Sequence, residues 1–290
     1  ANWVKSQLEH LHSNVDINIR VITTSGDKIQ DVPLAKIGGK GLFVKEIEEA
    51  LLVKEIDLAV HSMKDVPMEL PAELVVSAIT KRESPLDALI SKNGEILANL
   101  PQGATIGTSS LRRSSQLLKY RVDFEIHPLR GNVDTRLRKV KEGNYDAIIL
   151  ASAGLNRLGW ASHITEEISD EVLLPAMGQG ALGIETRLDD AKTYDLVSAL
   201  NHEQTNYAVT AERSLVGRLD GGCQVPIGAY AKIVDNLITL KGLVASLDGE
   251  IIYRSENVGP VDDAINIGQE LGSKLLKMGA NEILEKLIKQ

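Results

Sequence analysis

Apolar positions along the chain follow two spacings that alternate. Trp3, Val4, Leu8 and Leu11 recur every three to four residues and predict an opening helix. Residues 17–22 (INIRVI) form a β-branched run and predict a strand. A helix is expected over 42–53, with Phe43, Ile47, Ala50 and Leu51 on one side, and then a short buried strand at 56–60. Further strands are predicted at 74–78, 105–107, 124–127 and 147–151, with helices at 111–118, 133–142 and 206–218. Strands that alternate with helices in this way predict parallel sheets with helices on both faces.

After residue 220 the pattern changes. Segments 227–234, 237–245 and 250–256 read as three strands, with Asp235-Asn236 and Asp248-Gly249 as turn pairs. An amphipathic helix over 261–277 completes a small antiparallel sheet with a helix on one face. Segments 81–85 (KRESP) and 175–180 (PAMGQG) read as two crossings between two α/β lobes that leave a cleft between them. The expected division is 1–80 with 181–198 as a first domain, 86–174 as a second and 203–290 as a third. In α/β sheets, ligands lie beyond the carboxyl ends of the strands, so candidate chemistry is sought there.

Composition narrows the functional classes. The chain has 290 residues and is 43% hydrophobic, enough for several cores, but only 3% aromatic, so the cores must be aliphatic. Few aromatics and a formal charge of −8 argue against a nucleic-acid binder. The charge is uneven. Between Arg112 and Arg157 seven arginines and three lysines face five acids, a net of +5, which leaves −13 on the remaining residues. That run is either a solvated basic face or the lining of an anion site. One cysteine excludes an internal disulfide and suits a reducing compartment. The six histidines lack metal-site spacing, so no metal is expected. No apolar run nears the roughly 18 residues of a membrane span, and no leader pattern opens the chain.

The strand predicted at 56–60 gives way to polar residues and brings Ser62, Lys64 and Asp65 to its carboxyl end. Asp65 is a candidate acid/base or cation stabiliser; alternatively, Ser62 and Asp65 only cap a turn. In T-I-G-T-S-S-L-R-R (105–113), Gly107 and the hydroxyls of Thr108, Ser109 and Ser110 lead into a helix. Arg112 and Arg113 in its first turn oppose the helix dipole, a conflict that an anion would relieve. They are either carboxylate receptors or exposed arginines behind an ordinary serine cap. Arg130 follows the next strand, with Gly131 to turn the chain and Arg136 on the helix beyond; Arg157 follows the strand at 147–151. Three strand ends that each deliver arginine suggest a site for several carboxylates. The glycine-rich stretch with Lys36, Gly38, Gly39, Lys40 and Gly41 lacks the P-loop ending and reads as a lid or a plain turn. The lone Cys223, behind two glycines, is either a small buried hydrophobe or a thiolate that bonds covalently.

In order along the chain, H-S-M-K-D-V-P (61–67), G-T-S-S-L-R-R (107–113), L-R-G-N-V (129–133), the A-G-L-x-R stretch ending at Arg157, P-A-x-G-Q-G (175–180) and G-G-C-Q-V-P-I-G (221–228) resemble the porphobilinogen deaminase (hydroxymethylbilane synthase) family. The resemblance runs essentially end to end. It implies an α/β fold of two doubly wound lobes like periplasmic binding proteins, plus a small α+β domain that carries the cysteine. It further implies a dipyrromethane cofactor held by a thioether to Cys223, and Asp65 as the catalytic group. Ser62, Lys64, Thr108, Ser109, Ser110, Arg112, Arg113, Arg130, Arg136, Arg157 and Gln179 match family binding positions.

The implied reaction belongs to tetrapyrrole and heme biosynthesis. Four porphobilinogens condense head to tail. Each loses ammonia to give an azafulvenium cation, with Asp65 protonating the leaving amine and then stabilising the cation; water finally releases hydroxymethylbilane. Each pyrrole carries an acetate and a propionate, which accounts for arginines gathered on an acidic protein. A cytoplasmic monomer is expected, acting on a small molecule and away from nucleic acid and membranes. One departure stands out: the family pattern has a strand before the opening helix, ending in Arg and Ser, that this sequence lacks. The expectation is a fragment that lacks its N-terminal strand, rather than a naturally shortened enzyme. Two alternatives stay open: a two-lobed anion-binding module, and an inactive truncated relative that still holds the cofactor.

Overall fold

The computed structural model describes residues 1–25, 44–220 and 225–288. In chain order its elements begin with α1 (Asn2–Leu11), α2 (Lys45–Leu52), β1 (Leu58–Ser62), β2 (Leu74–Ile79) and β3 (Asp87–Ser91). Next come β4 (Thr105–Gly107), α3 (Leu111–Tyr120), β5 (Glu125–His127), α4 (Val133–Lys141), β6 (Ala147–Ala151), α5 (Ser152–Arg157) and β7 (Glu166–Ile168). β8 (Leu182–Arg187), α6 (Ala191–Ser198) and α7 (Glu203–Arg218) lead to β9 (Ile227–Val234), β10 (Leu237–Ala245), β11 (Ile252–Pro260), α8 (Ala264–Leu275) and α9 (Asn281–Ile288). The chain forms two compact units, residues 1–82 with 181–207 and residues 83–180 with 208–290.

The first unit is built on a sheet of order β1-β8-β2, with β8 antiparallel to both neighbours. Alternate residues serve opposite faces. Ile184 and Ala78 pack with Val4 and Leu8 of α1 and Val197 of α6, while Ala59 and Leu74 pack with Leu51 of α2. The strand expected at 17–22 is not found: those residues join no ladder among the described residues, and Ile19 and Val21 stand exposed. An apolar alternation needs a strand to pair with, and none among the described residues takes this segment.

The second unit holds a five-stranded sheet of order β5-β4-β6-β3-β7. β4 is parallel to β5 and β6, whereas β3 runs antiparallel to β6 and β7. Its two faces are filled by alternate residues of the same strands, Leu89 and Ile149 on one side and Ala88, Ile148 and Leu150 on the other. The five-stranded sheet is therefore mixed and the described ladder of the first unit is antiparallel throughout, which corrects the expectation of wholly parallel sheets. β3 and β8 are the strands that run against their neighbours, and each follows a crossing segment rather than a helical crossover.

The third sheet, β11-β10-β9, is antiparallel throughout, as expected. α7 and α8 press on it so closely that a Cβ at Gly242 would meet Leu215, Leu271 and Leu275 within 3.1 Å. This sheet is fastened to the five-stranded body. The Ala229 amide donates to Pro175 O at 2.9 Å, Lys241 pairs with Asp170 at 2.6 Å and with Glu171, and Arg254 donates to the carbonyls of Glu171 and Asp170 at 2.7 and 2.9 Å. No helix among the described residues is long and apolar enough to cross a membrane.

Candidate functional site

In the first unit, β1 ends at Ser62 and tightens into one 3₁₀ turn, Met63–Asp65. The turn is anchored from below. Met63 is buried, its amide donates to Ala181 O at 3.0 Å, and its sulfur lies where a Cβ at Gly183 would sit. Val66 is buried just beyond. This leaves Ser62 and Lys64 half-buried and Asp65 exposed. Strand pairing and two apolar plugs thus fix the backbone, while the functional groups stay outside the core.

Directly beneath lies a polar group that sequence reasoning missed. His61 Nε2 sits 2.8 Å from Glu185 Oε2, and both residues are buried. Glu185 Oε1 and Glu48 Oε1 are buried without a hydrogen-bond partner among the described residues. Burial, and then the nearby Glu185, push the Glu48 carboxyl above its usual range, with His61 acting in the opposite direction.

In the second unit, β4 ends at Gly107 and the chain enters α3 through Thr108, Ser109 and Ser110. The Thr108 amide donates to His127 O, and Thr108 Oγ1 accepts from the Ser110 amide at 3.2 Å. Ser109 Oγ donates to Leu129 O at 2.9 Å and accepts from the Leu129 amide, tying this loop to the one that follows β5. Ser110 is the N-cap of α3 but makes no side-chain cap bond.

Arg112 and Arg113 are buried, not exposed. Asp87, the first residue of β3 and 0% exposed, lies between them. Its Oδ2 accepts from Arg112 Nη1 at 2.8 Å, and its Oδ1 accepts from Arg113 Nε and Nη2 at 3.0 and 2.7 Å. Gln179 Nε2 adds a fourth bond to Oδ1 at 2.9 Å and also donates to Pro85 O at 2.7 Å. Burial by itself would raise the Asp87 carboxyl, but the two guanidiniums hold it well below the usual carboxylate range. The anion that answers the first-turn arginines is thus, in part, internal. One carboxylate cannot balance two guanidiniums, so a positive charge is left over.

Two further arginines add to this field. Arg136 Nε donates to Gly131 O at 2.7 Å, and its pKa is lowered by burial, then by Arg113 and Arg130. Asn132 caps α4 by accepting from the Thr135 amide at 2.9 Å, which sets the start of the helix that carries Arg136. Arg157, at the end of α5, donates to Gly180 O at 2.6 Å. Gly180 has φ +90°, and a Cβ there would meet Glu83 O at 2.4 Å, so only glycine fits this crossing. Arg112, Arg113, Arg130, Arg136, Arg157, Gln179, Thr108, Ser109 and Ser110 all fall in the second unit, and Ser62, Lys64 and Asp65 in the first. Lys36, Gly38, Gly39, Lys40, Gly41 and Cys223 lie outside the described residues. Among the described residues, no group of three or more His, Cys, Asp or Glu is placed to hold a metal ion.

Asp87 escaped the sequence reading because Asp-Ala-Leu-Ile-Ser follows a presumed crossing and was not read as a strand. The signal was there: an acid set in a short apolar run, two residues after Pro85.

Residues 1–195 match the family described as porphobilinogen deaminase, dipyromethane cofactor binding domain, and residues 206–277 match porphobilinogen deaminase, C-terminal domain. The chain is 53% identical to the porphobilinogen deaminase of Syntrophobacter fumaroxidans over 98% of its length and 92% of that protein. It is 54% identical to that of Geobacter sulfurreducens over 98% of this chain and 89% of the relative, and 51% identical to that of Brevibacillus brevis over 100% and 94%. Among solved structures, the VFT2 domain of Bordetella pertussis BvgS aligns with 67% of this chain and 76% of that domain, at 16% identity and a TM-score of 0.38.

Proposed function

The chain belongs to the porphobilinogen deaminase family, and from that premise we propose that it condenses four porphobilinogens head to tail, with release of ammonia, on a dipyrromethane attached to Cys223. Water then releases the linear tetrapyrrole hydroxymethylbilane. The observation that carries this reading is the surplus positive charge on the Asp87–Arg112–Arg113 group, with Arg130 and Arg136 close enough to add to it. Every pyrrole of the growing chain brings two carboxylates, so the substrate supplies the anions that the protein lacks. The same surplus fits a dipyrromethane, whose carboxylates Arg112, Arg130, Arg136 and Arg157 would hold, with Arg113 adding its charge from behind and Thr108, Ser109, Ser110 and Gln179 beside them. Ser62 and Lys64 are likewise proposed as binding residues. When bound, the cofactor offers a pyrrole carbon that acts as the nucleophile.

Asp65 is proposed to protonate the amine that departs from the substrate, and then to face the positive charge that develops on the ring. Its exposed position on a rigid 3₁₀ turn supports both tasks, because the carboxylate is held by its backbone and can exchange protons with water. We further propose three domains, with Cys223 belonging to the third. We also propose a cytoplasmic monomer: the single cysteine suits a reducing compartment, and a charge of −8 disfavours nucleic acid as a partner.

Intact mass under denaturing conditions tests the assignment. The expected result is a mass above that of the chain by two pyrrole units, which is lost in Cys223→Ser. An unmodified parent chain that nonetheless turns over porphobilinogen would refute the covalent role of Cys223.

A further inference from the structure

We propose that Asp87 is a positioning residue for this reaction: it fixes Arg112 with one bidentate edge open to a carboxylate, and turns Arg113 inward as a buried support. The proposal rests on the reading above that Arg112 receives an anionic group. A guanidinium has five N–H donors, and its Nε and one Nη lie side by side on an edge that matches a carboxylate. The two arginines use that edge in opposite ways. Arg113 commits Nε and Nη2 to Asp87 Oδ1, at 3.0 and 2.7 Å, and donates from Nη1 to Ile149 O at 3.1 Å. Arg112 instead commits only Nη1, to Asp87 Oδ2 at 2.8 Å and to Leu174 O at 2.7 Å. Its Nε and Nη2 have no hydrogen-bond partner among the described residues, and Arg112 as a whole keeps 5% of its surface exposed.

The frame that imposes this difference is stiff. Asp87 sits within the sheet, paired with Ala151 of β6 on one side and Ile168 of β7 on the other. Leu174 is held at both ends of its backbone by one side chain: Gln116 Oε1 accepts from its amide at 2.8 Å, and Gln116 Nε2 donates to its carbonyl at 3.3 Å. Gln179 fills the remaining room on Oδ1. Arg112 is thus gripped at Nη1 by two fixed acceptors, which dictates the direction of its other edge. Asp87 itself is fully buried, so it acts through Arg112.

The test compares Asp87→Asn, Asp87→Glu, Arg112→Gln and the Asp87→Asn/Arg112→Gln pair in cofactor-loaded enzyme. KM and kcat for porphobilinogen are read together with the melting temperature. Asp87→Asn is expected to raise KM at least tenfold. In the Arg112→Gln background the same change is expected to raise KM less than twofold, because the group through which Asp87 acts is already gone. A merely structural Asp87 would lower the melting temperature and the active fraction with KM unchanged, or would act equally in both backgrounds; either result overturns the proposal. If Asp87→Asn cannot be recovered folded and loaded, Asp87→Glu decides, since it keeps the charge but shifts it by one methylene. A raised KM is expected there, and a parental KM refutes positioning. If Arg112→Gln by itself leaves KM and cofactor content unchanged, the reading of Arg112 as the receptor fails. If Arg112→Gln raises KM and Asp87→Asn does not, only the role of Asp87 fails.

Discussion

Glu212 offers a sharp test of how the second unit is held together. It lies on α7 and is 0% exposed, with its two oxygens bonded in different directions. Oε2 accepts from the Gly178 amide at 2.6 Å and Oε1 from the Ala231 amide at 2.8 Å. One carboxylate therefore joins a helix, the crossing segment that carries Gln179, and β9. Glu212→Ala leaves two buried amides without an acceptor. At about 1–3 kcal/mol for each orphaned group, the expected loss is about 4 kcal/mol. For a body of this size that corresponds to a fall in melting temperature of about 10 °C. Glu212→Gln keeps the shape and one acceptor but sets an NH₂ against the second amide, so about half the loss is expected. Thermal unfolding of the parent and both variants, followed by circular dichroism, reads the order directly. If the Gln variant melts within about 1 °C of the parent while the Ala variant falls, the loss comes from lost volume and not from the amides, and the clasp reasoning is wrong.

Four further outcomes are expected. Asp65→Asn lowers kcat by about 10²–10⁴ while leaving the cofactor mass intact, as read by steady-state turnover and mass. Glu48 has a folded-state pKa above its unfolded value, so the stability linked to its protonation is complete below the ordinary glutamate range and is lost as pH rises through the raised value. Urea midpoints measured against pH should therefore decline less steeply on the alkaline side in Glu48→Gln than in the parent. Gly249 has φ +73°, and a Cβ there would meet Ser115 O at 2.3 Å, so Gly249→Ala should cost about 1–3 kcal/mol in unfolding experiments. Lys241→Met removes partly exposed ion pairs with Asp170 and Glu171 and should cost about 1 kcal/mol or less, with the difference shrinking in high salt.

The elements that could be read from the sequence are those whose side chains obey one rule along their length. β9 and β10 begin and end where alternation and turn pairs placed them, and α1 follows from Val4 and Leu8 one turn apart. β3 and β8 were not read, although each is paired on both sides within its sheet. β8 buries Glu185, Thr186 and Arg187 in succession, a polar run that resembles a surface segment until its partners are known. Glu185 is answered by His61 from β1, and Arg187 donates to Ile56 O at 2.6 Å and pairs with Asp190 at 2.7 Å. Each of these partners except Asp190 lies more than a hundred residues away along the chain. Pattern reading assigns a polar residue to solvent because water is its usual partner; it fails where tertiary structure supplies the partner instead.

The same distinction separates the parts of the site. The arginines were legible because they sit at strand ends and helix starts, where local geometry already calls for explanation. Arg112 and Arg113 in a first turn oppose the helix dipole, and that conflict by itself demands an anion. The sequence does not say which anion. Asp87 answers part of the demand from another strand, and it does so with one charge for two. A second carboxylate in its place would have closed the account and left a buried ionic core with no use for a ligand. A single one keeps both guanidiniums folded in and oriented while leaving the surplus that a carboxylate-bearing substrate can meet. On the proposed reading, the deficit of negative charge at Asp87, more than the number of arginines around it, is what would make this cluster a binding site.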